Sequence, residues 1–396
     1  MSDKKLKVLV KAHELNTKGS EALHAYNLLL ELSNLVELTV IHSEGNQFGD
    51  VSYRFDKSQF HENTQFYSMP YETFAKPIIF INKRFRFLNR SIGFAPIYFL
   101  ALRFWEYSTY KFIKSLNVNF DIIHSLNHIS YREPGYLYRL KGQHKYIHGP
   151  ISGFYNVPYS MFKTFNWMNL FRTYFNSLKI SKRLKDCLAG AACYLFVNEY
   201  DRIIDTNSMQ FPDVGINKVN KSIPYVNSKD VSKLDIVVIG RVEVLKGSDI
   251  LIDTFTNNVV LQEKFRVHFF GHIDESVRNA LPFCKFHGHV ANSDIQSHLQ
   301  KSHLLIHLSL KEATSLSIVE ALNNQCNVVC HAGFGIDSYL NDNICTIPLV
   351  SHNYSVLILI KFLSDYRYRF FNNDSINRLD YKILALKLHN LYVSNT

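Results

Sequence analysis

The chain has no C-x-x-C pair, no G-x-G-x-x-G fingerprint, no low-complexity tract and no apolar run long enough to cross a bilayer. Each absence removes a class of protein. The six cysteines, Cys187, Cys193, Cys284, Cys326, Cys330 and Cys345, are scattered. Cys326 and Cys330 stand four apart without a second pair, which argues against zinc, and the set reads as reduced thiols in a cytoplasmic protein. The longest apolar run, Ile92–Leu102, falls short of the ~20 residues that a membrane-spanning helix needs. Met1–Lys7 leads straight into a strand with no apolar stretch, so no secretory signal is expected.

Acidic residues are also in deficit. Thirty-four Asp and Glu face 44 Lys and Arg, giving a formal charge of +10. Such a balance calls for an anionic partner: a nucleotide, a nucleic acid or an acidic membrane surface. Aromatic residues, at 14%, are plentiful. A chain of 396 residues is too long for one core, so two domains are expected.

Strands and helices alternate along the sequence, which predicts parallel sheets covered on both faces. Leu6–Val10 reads as a first strand. A polar loop follows, then Gly19 and a helix with Leu23, Tyr26, Leu29 and Leu30 as its apolar face. Gly19 either lets the backbone approach a ligand or simply makes a turn. Phe120–His124 reads as a strand ending in His124, with Asn127 and His128 in the loop beyond. Ligands bind past the carboxyl ends of strands in doubly wound sheets. His124 is therefore a base, a partner of an acceptor hydroxyl or a phosphate ligand, or else a hydrogen-bonded loop histidine. Tyr146–Gly153 is a further strand running into a Gly/Pro loop that contains Gly149.

Two segments, 74–116 and 154–185, mix basic and aromatic residues. In the first, eight Lys and Arg accompany one acid, Glu106. Rings turned inward with cations at the headgroups describe a surface for peripheral membrane contact. A core helix with a solvated basic rim is the plainer alternative. No nucleic-acid module accompanies them, so no nucleic-acid partner is expected.

Polar residues 206–233 mark the expected domain boundary. A strand, Leu234–Ile239, then runs into Gly240, Arg241, Lys246 and Gly247. Both cations emerge at the strand's carboxyl end, where they can neutralise a diphosphate. Further on, the apolar run His303–Leu308 leads into a polar loop with Thr314, Ser315 and Ser317 as candidate helix caps, and then a helix over Ile318–Leu322. A loop opening a helix directs N–H groups and a positive dipole end at an anion. Glu312 and Glu320 bracket this loop, and carboxylates accept hydrogen bonds from hydroxyls. The combination points to a ligand carrying both phosphate and hydroxyl groups.

With Arg241, Lys246, Glu312 and Glu320 in this order, residues 234–340 resemble the donor domain of family-four glycosyltransferases. Asp121–His124 and His148–Gly153 are similar to first-domain motifs of the same family. The resemblance implies an α/β, two-domain GT-B fold, with two Rossmann-like doubly wound domains facing an interdomain cleft. Residues 1–215 would form the acceptor domain and 216–375 the donor domain. Residues 376–396 would be a C-terminal helix able to pack back on the first. It implies a retaining enzyme that moves a sugar from a nucleotide-diphosphate sugar to a saccharide or lipid-linked glycan, as in lipopolysaccharide and other surface polysaccharide synthesis. No metal and no cofactor are implied. The location would be cytoplasmic, with peripheral contact at the inner face of the membrane.

The implied roles fall on matching positions. Arg241 and Lys246 would hold the pyrophosphate. Glu312 would meet the sugar hydroxyls, and Glu320 the ribose. Gly19, Gly240, His289, Val290, Ala313, Thr314, Ser315 and Leu316 would line the donor, while His124, Asn127, His128 and Gly149 would lie near the acceptor. Glu312, Arg241, Lys246 and His124 are the expected catalytic set. The sequence departs from the family pattern at Ala313, at Asn323–Asn327, at Lys18 before Gly19, and at Phe154 and Tyr155. All four charged residues are retained, so an active enzyme is expected. A binding protein that kept the fold and lost turnover is the alternative.

Overall fold

The computed structural model describes residues 5–17, 19–45, 55–71, 75–86, 93–163, 181–203, 207–217, 233–334, 344–368 and 374–396. Lys18, Gly335, most of the expected boundary segment (206 and 218–232), and parts of the two basic-aromatic segments (74, 87–92 and 164–180) lie outside the described residues. The chain divides into two compact units. One comprises Met1–Phe154, Lys179–Gly215 and Tyr381–Thr396; the other comprises Tyr155–Leu178 and Ile216–Asp380.

The first unit holds seven parallel strands: β1 (Lys7–Ala12), β2 (Glu37–Ser43), β3 (Gln65–Met69), β4 (Ile122–Asn127), β5 (Lys145–Ile151), β6 (Cys193–Phe196) and β7 (Ser208–Gln210). Their order is β3-β2-β1-β4-β5-β6-β7. Val8, Leu9, Val10, Ile122 and Ile123 are wholly buried because helices cover both faces of the sheet. Those helices are α1 (Ser20–Leu32), α2 (Ala75–Lys83), α3 (Ala95–Ser115) and α4 (Lys182–Gly190). On α1 the expected apolar face is rotated. Ala22, Ala25, Leu28 and Leu32 bury along with Tyr26 and Leu29, whereas Leu23 and Leu30 are only half-buried. The reason is that α1 packs on two sides, against the sheet and against the C-terminal helix Tyr381–Asn395.

The second unit is a six-stranded parallel sheet of β8 (Leu234–Ile239), β9 (Phe265–Phe270), β10 (Lys285–Gly288), β11 (Leu304–His307), β12 (Asn327–His331) and β13 (Ile344–Ile347). Its order is β10-β9-β8-β11-β12-β13. Helices α5 (Ser248–Phe255), α6 (Val259–Lys264), α7 (Glu275–Ala280), α8 (Asn292–Lys301), α9 (Leu316–Asn323) and α10 (His352–Asp365) complete it. In each sheet the winding reverses between two central strands, β1 and β4 or β8 and β11. Those are the topological switch points, and side chains there project beyond the strands' carboxyl ends.

The first unit carries charge in its interior. Lys11 on β1 bonds Glu106 on α3 at 2.5 Å, and both side chains are almost fully buried. Burial pushes the Glu106 carboxyl up and the Lys11 ammonium pulls it back. Removing one partner of such a pair strands the other charge, at a cost of about 3–5 kcal/mol. Nearby, Glu133 is held by Arg103 at 2.8 Å and Arg183 at 2.6 Å. Glu106, the one acid of segment 74–116, thus serves as a core anchor for α3. That helix buries Leu102, Trp105 and Thr109 along the same face.

Histidines shielded from water make this unit acid-sensitive, with His24, His124 and His148 buried and His128 nearly so. Burial lowers His24, His128 and His148 to about 3 and His124 to about 4, from an ordinary value of 6.5. The folded state therefore binds fewer protons than the unfolded chain between these values. Stability is fully present above pH ~6.5 and is lost as the pH falls toward 4. Urea midpoints at pH 7.5 and pH 5.0 should show a marked drop at the lower pH. His24→Leu should flatten that drop, because both ring nitrogens of His24 are buried without a partner. Equal midpoints at the two pH values would contradict this account.

Candidate active site

The switch point of the second sheet lies between β8 and β11, which run in register as Leu304 opposite Ile236 and Leu305 opposite Val237. Two loops leave their carboxyl ends. The loop after β8 makes a 3₁₀ turn, Val244–Lys246, closed by Gly247. The loop after β11 runs to Ser315, the N-cap of α9. Leu310 N–H donates to the Leu245 carbonyl at 2.8 Å and ties the loops together. Gly247 has φ of 78°, and a Cβ there would collide with the Leu308 carbonyl oxygen. Only glycine permits this close approach.

The approach brings Lys246 against Glu312, which form a short ion pair. Both side chains are about a quarter exposed, at 26% and 22%. His307, the last residue of β11, places Nε2 3.5 Å from the same carboxylate. Its Nδ1 meets Ser317 Oγ at 3.3 Å, and Ser317 in turn contacts Ser315 Oγ at 2.8 Å. Burial raises the Glu312 carboxyl, but His307 and the Lys246 ammonium outweigh it and hold the group down at about 2. Glu312 is thus an anion at any working pH, at the start of a helix whose dipole is positive there. Beneath the loop, buried His331 donates from Nδ1 to the Ser309 carbonyl at 3.1 Å, so its Nε2 accepts from Ser355 Oγ at 3.2 Å.

The other expected donor residues take more varied positions. Gly240 follows β8 with open space on its Cα side. Arg241 beside it is 65% exposed and lies 3.6 Å from Glu243. Glu320, one turn into α9, accepts from Asn292 Nδ2 of α8 at 3.3 Å. Burial raises its pKa, and the amides of Asn292 and Gln296 partly offset that. His289 is exposed and Val290 is half-buried, both beyond β10. Ala313 and Leu316 are half-buried, and Thr314 and Ser315 are buried.

In the first unit, Gly19 is the exposed N-cap of α1. His124 is wholly buried. Its Nε2–H donates to the Gly149 carbonyl at 2.7 Å, which leaves Nδ1 to accept from the Tyr392 hydroxyl at 2.6 Å. In this arrangement both ring nitrogens are engaged in joining β4, β5 and the C-terminal helix. Gly149 is buried with φ of 110°, and a Cβ on it would strike the Leu195 carbonyl of β6. Asn127 donates to the Glu14 carbonyl at 2.8 Å. His128 bonds the Tyr98 hydroxyl at 3.1 Å and sits 3.8 Å from Glu21.

Several members of these clusters were not anticipated. His307 was read as part of an apolar strand, although a histidine on the last strand residue is itself a signal at a doubly wound sheet. Glu21, which accepts from Ile129 N–H at 2.9 Å and whose carboxyl burial lifts to about 8, was visible as an acid in the first turn of α1. Asn292 and His331 had no local pattern to betray them.

Residues 233–355 match the family model "Glycosyl transferases group 1". Among curated proteins, none matches the chain by sequence. Several solved structures are similar in fold. The Escherichia coli trehalose-6-phosphate structure bound with UDP-2-fluoro glucose shares 11% identity, covering 98% of this chain and 96% of that one, with a TM-score of 0.57. WaaG, a glycosyltransferase involved in lipopolysaccharide biosynthesis, shares 13% over 97% and 99% of the two chains, with a TM-score of 0.54. Anabaena HepE in complex with UDP shares 13% over 98% and 100%, with a TM-score of 0.58. Two parallel-sheet units with these neighbours make the chain an α/β protein of the two-domain GT-B fold.

Gly247→Ala tests the loop geometry. The strained φ and the collision with Leu308 should destabilise the second unit by about 1–3 kcal/mol. The expected readout is a lower urea midpoint by circular dichroism, with displacement of Lys246 from Glu312. An unchanged midpoint would mean that the two loops do not need this close contact.

Proposed function

We propose that this chain is a retaining, metal-independent glycosyltransferase that moves a sugar from a nucleotide-diphosphate sugar to a saccharide or lipid-linked glycan acceptor. Surface polysaccharide assembly, of which lipopolysaccharide is one case, is the setting that the reading favours. The observation that carries the proposal is the Lys246–Glu312 pair at the start of α9, on the switch point of a sheet within a segment that matches a glycosyltransferase model. UDP and sugar in the neighbouring structures support a nucleotide-sugar donor.

The chemistry follows from the charges. Lys246 and the exposed Arg241 would receive the donor diphosphate and spread the charge that develops as the anomeric C–O bond breaks. Lys246 is already oriented by Glu312, so little reorganisation is needed on binding. Glu312, kept ionised, would accept hydrogen bonds from donor sugar hydroxyls and place the anomeric carbon. Glu320 would hold the ribose. Attack comes from the face the phosphate leaves. The acceptor hydroxyl forms the new C–O bond and passes its proton to a departing phosphate oxygen, so no protein base is required. His124, buried and doubly bonded, would position β4 and β5 rather than touch the reacting atoms.

Peripheral contact with an anionic bilayer belongs to the same proposal. On α2, Phe80 is 61% exposed and Ile81 50%, beside Lys76 and Arg84, whose guanidinium lies over the Phe80 ring at 5.5 Å. Rings flanked by cations suit an acidic headgroup layer.

Two measurements test these readings. With a panel of nucleotide sugars, Glu312→Gln and Lys246→Ala should each lower kcat by about 10²–10³. Glu320→Ala should mainly raise the donor KM. Equal turnover in wild type and both charge variants would remove the assignment, and donor binding without turnover in wild type would favour a non-catalytic binding protein. In flotation assays the protein should rise with vesicles containing anionic phospholipid and less so after Phe80→Ser with Ile81→Ser. Failure to float with either anionic or neutral vesicles would sink the membrane component.

A further inference from the structure

A cavity of about 550 Å³ opens at the amino-terminal edge of the first unit's sheet. Its size lies within the ~300–1,000 Å³ of typical ligand sites. Four pieces of chain build it: Lys7 at the start of β1, Glu37–Thr39 at the start of β2, Glu62–Gln65 with Tyr67 at the entry to β3, and Leu116, Val118 and Phe120 between α3 and β4. His124, Asn127 and His128 lie toward the other, carboxyl edge of the same sheet. Nothing in the reaction proposed above uses this cavity.

Its frame is fixed before any ligand arrives. Thr64 N–H donates to the His61 carbonyl at 2.9 Å, and Asn63 N–H meets His61 Nδ1 at 3.3 Å, which sets the turn. Lys7 N–H donates to the Asp121 carboxylate at 2.8 Å and clamps β1 to the approach of β4. The Tyr67 ring is braced edge-on by Phe112 at 5.3 Å. Among the described residues β3 is the outer strand of the sheet and pairs with β2.

The lining is mixed in a particular way. Glu37 and Glu62 offer acceptors, while Lys7, Asn63 and Gln65 offer donors. Asn63 and Gln65 are exposed, so their side-chain amides reach whatever enters the cavity. Two carboxylates against one ammonium give an anion no advantage. A neutral polyol fits better, because each hydroxyl both donates and accepts. Leu116, Val118 and the Tyr67 ring supply apolar surface for the C–H faces of a sugar ring.

We propose that this cavity is a second glycan-binding subsite, which holds a neutral oligosaccharide through Asn63 and Gln65 with a sugar face against Tyr67. The choice of a glycan among polyols rests on the reading of the chain as a glycosyltransferase. A six-residue strand spans ~20 Å, so only an extended glycan reaches from this edge to the strands' carboxyl ends. Tethering an acceptor there raises its effective concentration at the reacting end. Acceptors shorter than this span gain nothing from the subsite.

The test uses the full chain and a panel of neutral hexasaccharides built from glucose, galactose or mannose, followed by saturation-transfer NMR and calorimetry. At least one hexasaccharide should bind, its monosaccharide should not, and Asn63→Ala with Gln65→Ala should weaken binding by roughly tenfold or more. Lys246→Ala should leave hexasaccharide binding unchanged. Binding by no hexasaccharide, or equal binding by wild type and the double variant, overturns the subsite. The two readings fail separately. Transfer that survives Glu312→Gln removes the catalytic assignment and leaves hexasaccharide binding intact, whereas transfer without such binding removes the subsite alone.

Discussion

The two loops at the second sheet's switch point are held around one ion pair, Lys246 with Glu312. Each residue sits on a loop leaving a different central strand, and the loops meet only because Gly247 lets one backbone press on the other at Leu308. The pair holds a cation and an anion next to a helix start without leaving either uncompensated. A partly exposed pair of this kind contributes little to stability. Its value lies in placement. The ammonium and the carboxylate, with His307 3.5 Å from the latter, are held together beyond the carboxyl ends of β8 and β11.

The first unit handles polarity in the opposite way. Its strand ends carry histidines that burial keeps neutral, and the charge pair Lys11 with Glu106 is sealed between the sheet and α3. His124 shows the consequence. It stands at the carboxyl end of β4, where a ligand-binding group belongs in this topology. Yet both of its nitrogens are spent on Gly149 and Tyr392. Glu21, His128 and Tyr98 form a separate cluster from α1, the loop after β4 and α3, linked by contacts of 3.1–3.8 Å.

Much of this was legible because parallel sheets write themselves plainly. Leu234–Ile239 is predicted and observed with the same bounds. The cations and carboxylates flanking the loops after β8 and β11 stood out by residue type and by their place after apolar strands, and their roles came from the family resemblance. Less legible were elements whose pattern is set from outside. Helix α1 has a rotated buried face because the C-terminal helix, some 350 residues away in sequence, packs on it. The short strands β3, β7 and β13 are 3–5 residues long and half-buried, so they lack a periodic signature.

The sequence by itself determined the class of fold, the alternation of strands and helices, and the identity of the charged residues at the second unit's switch point. Those are local properties, carried by hydrophobic period and by which residue types follow a strand. Tertiary structure alone decided which charges meet. That Lys246 pairs with Glu312, that His307 and His331 support the loop, and that His124 turns inward all depend on strand order, which brings β8 beside β11 and β4 beside β5. Strand order is a long-range choice made by the packing of both faces of each sheet, and no stretch of sequence contains it.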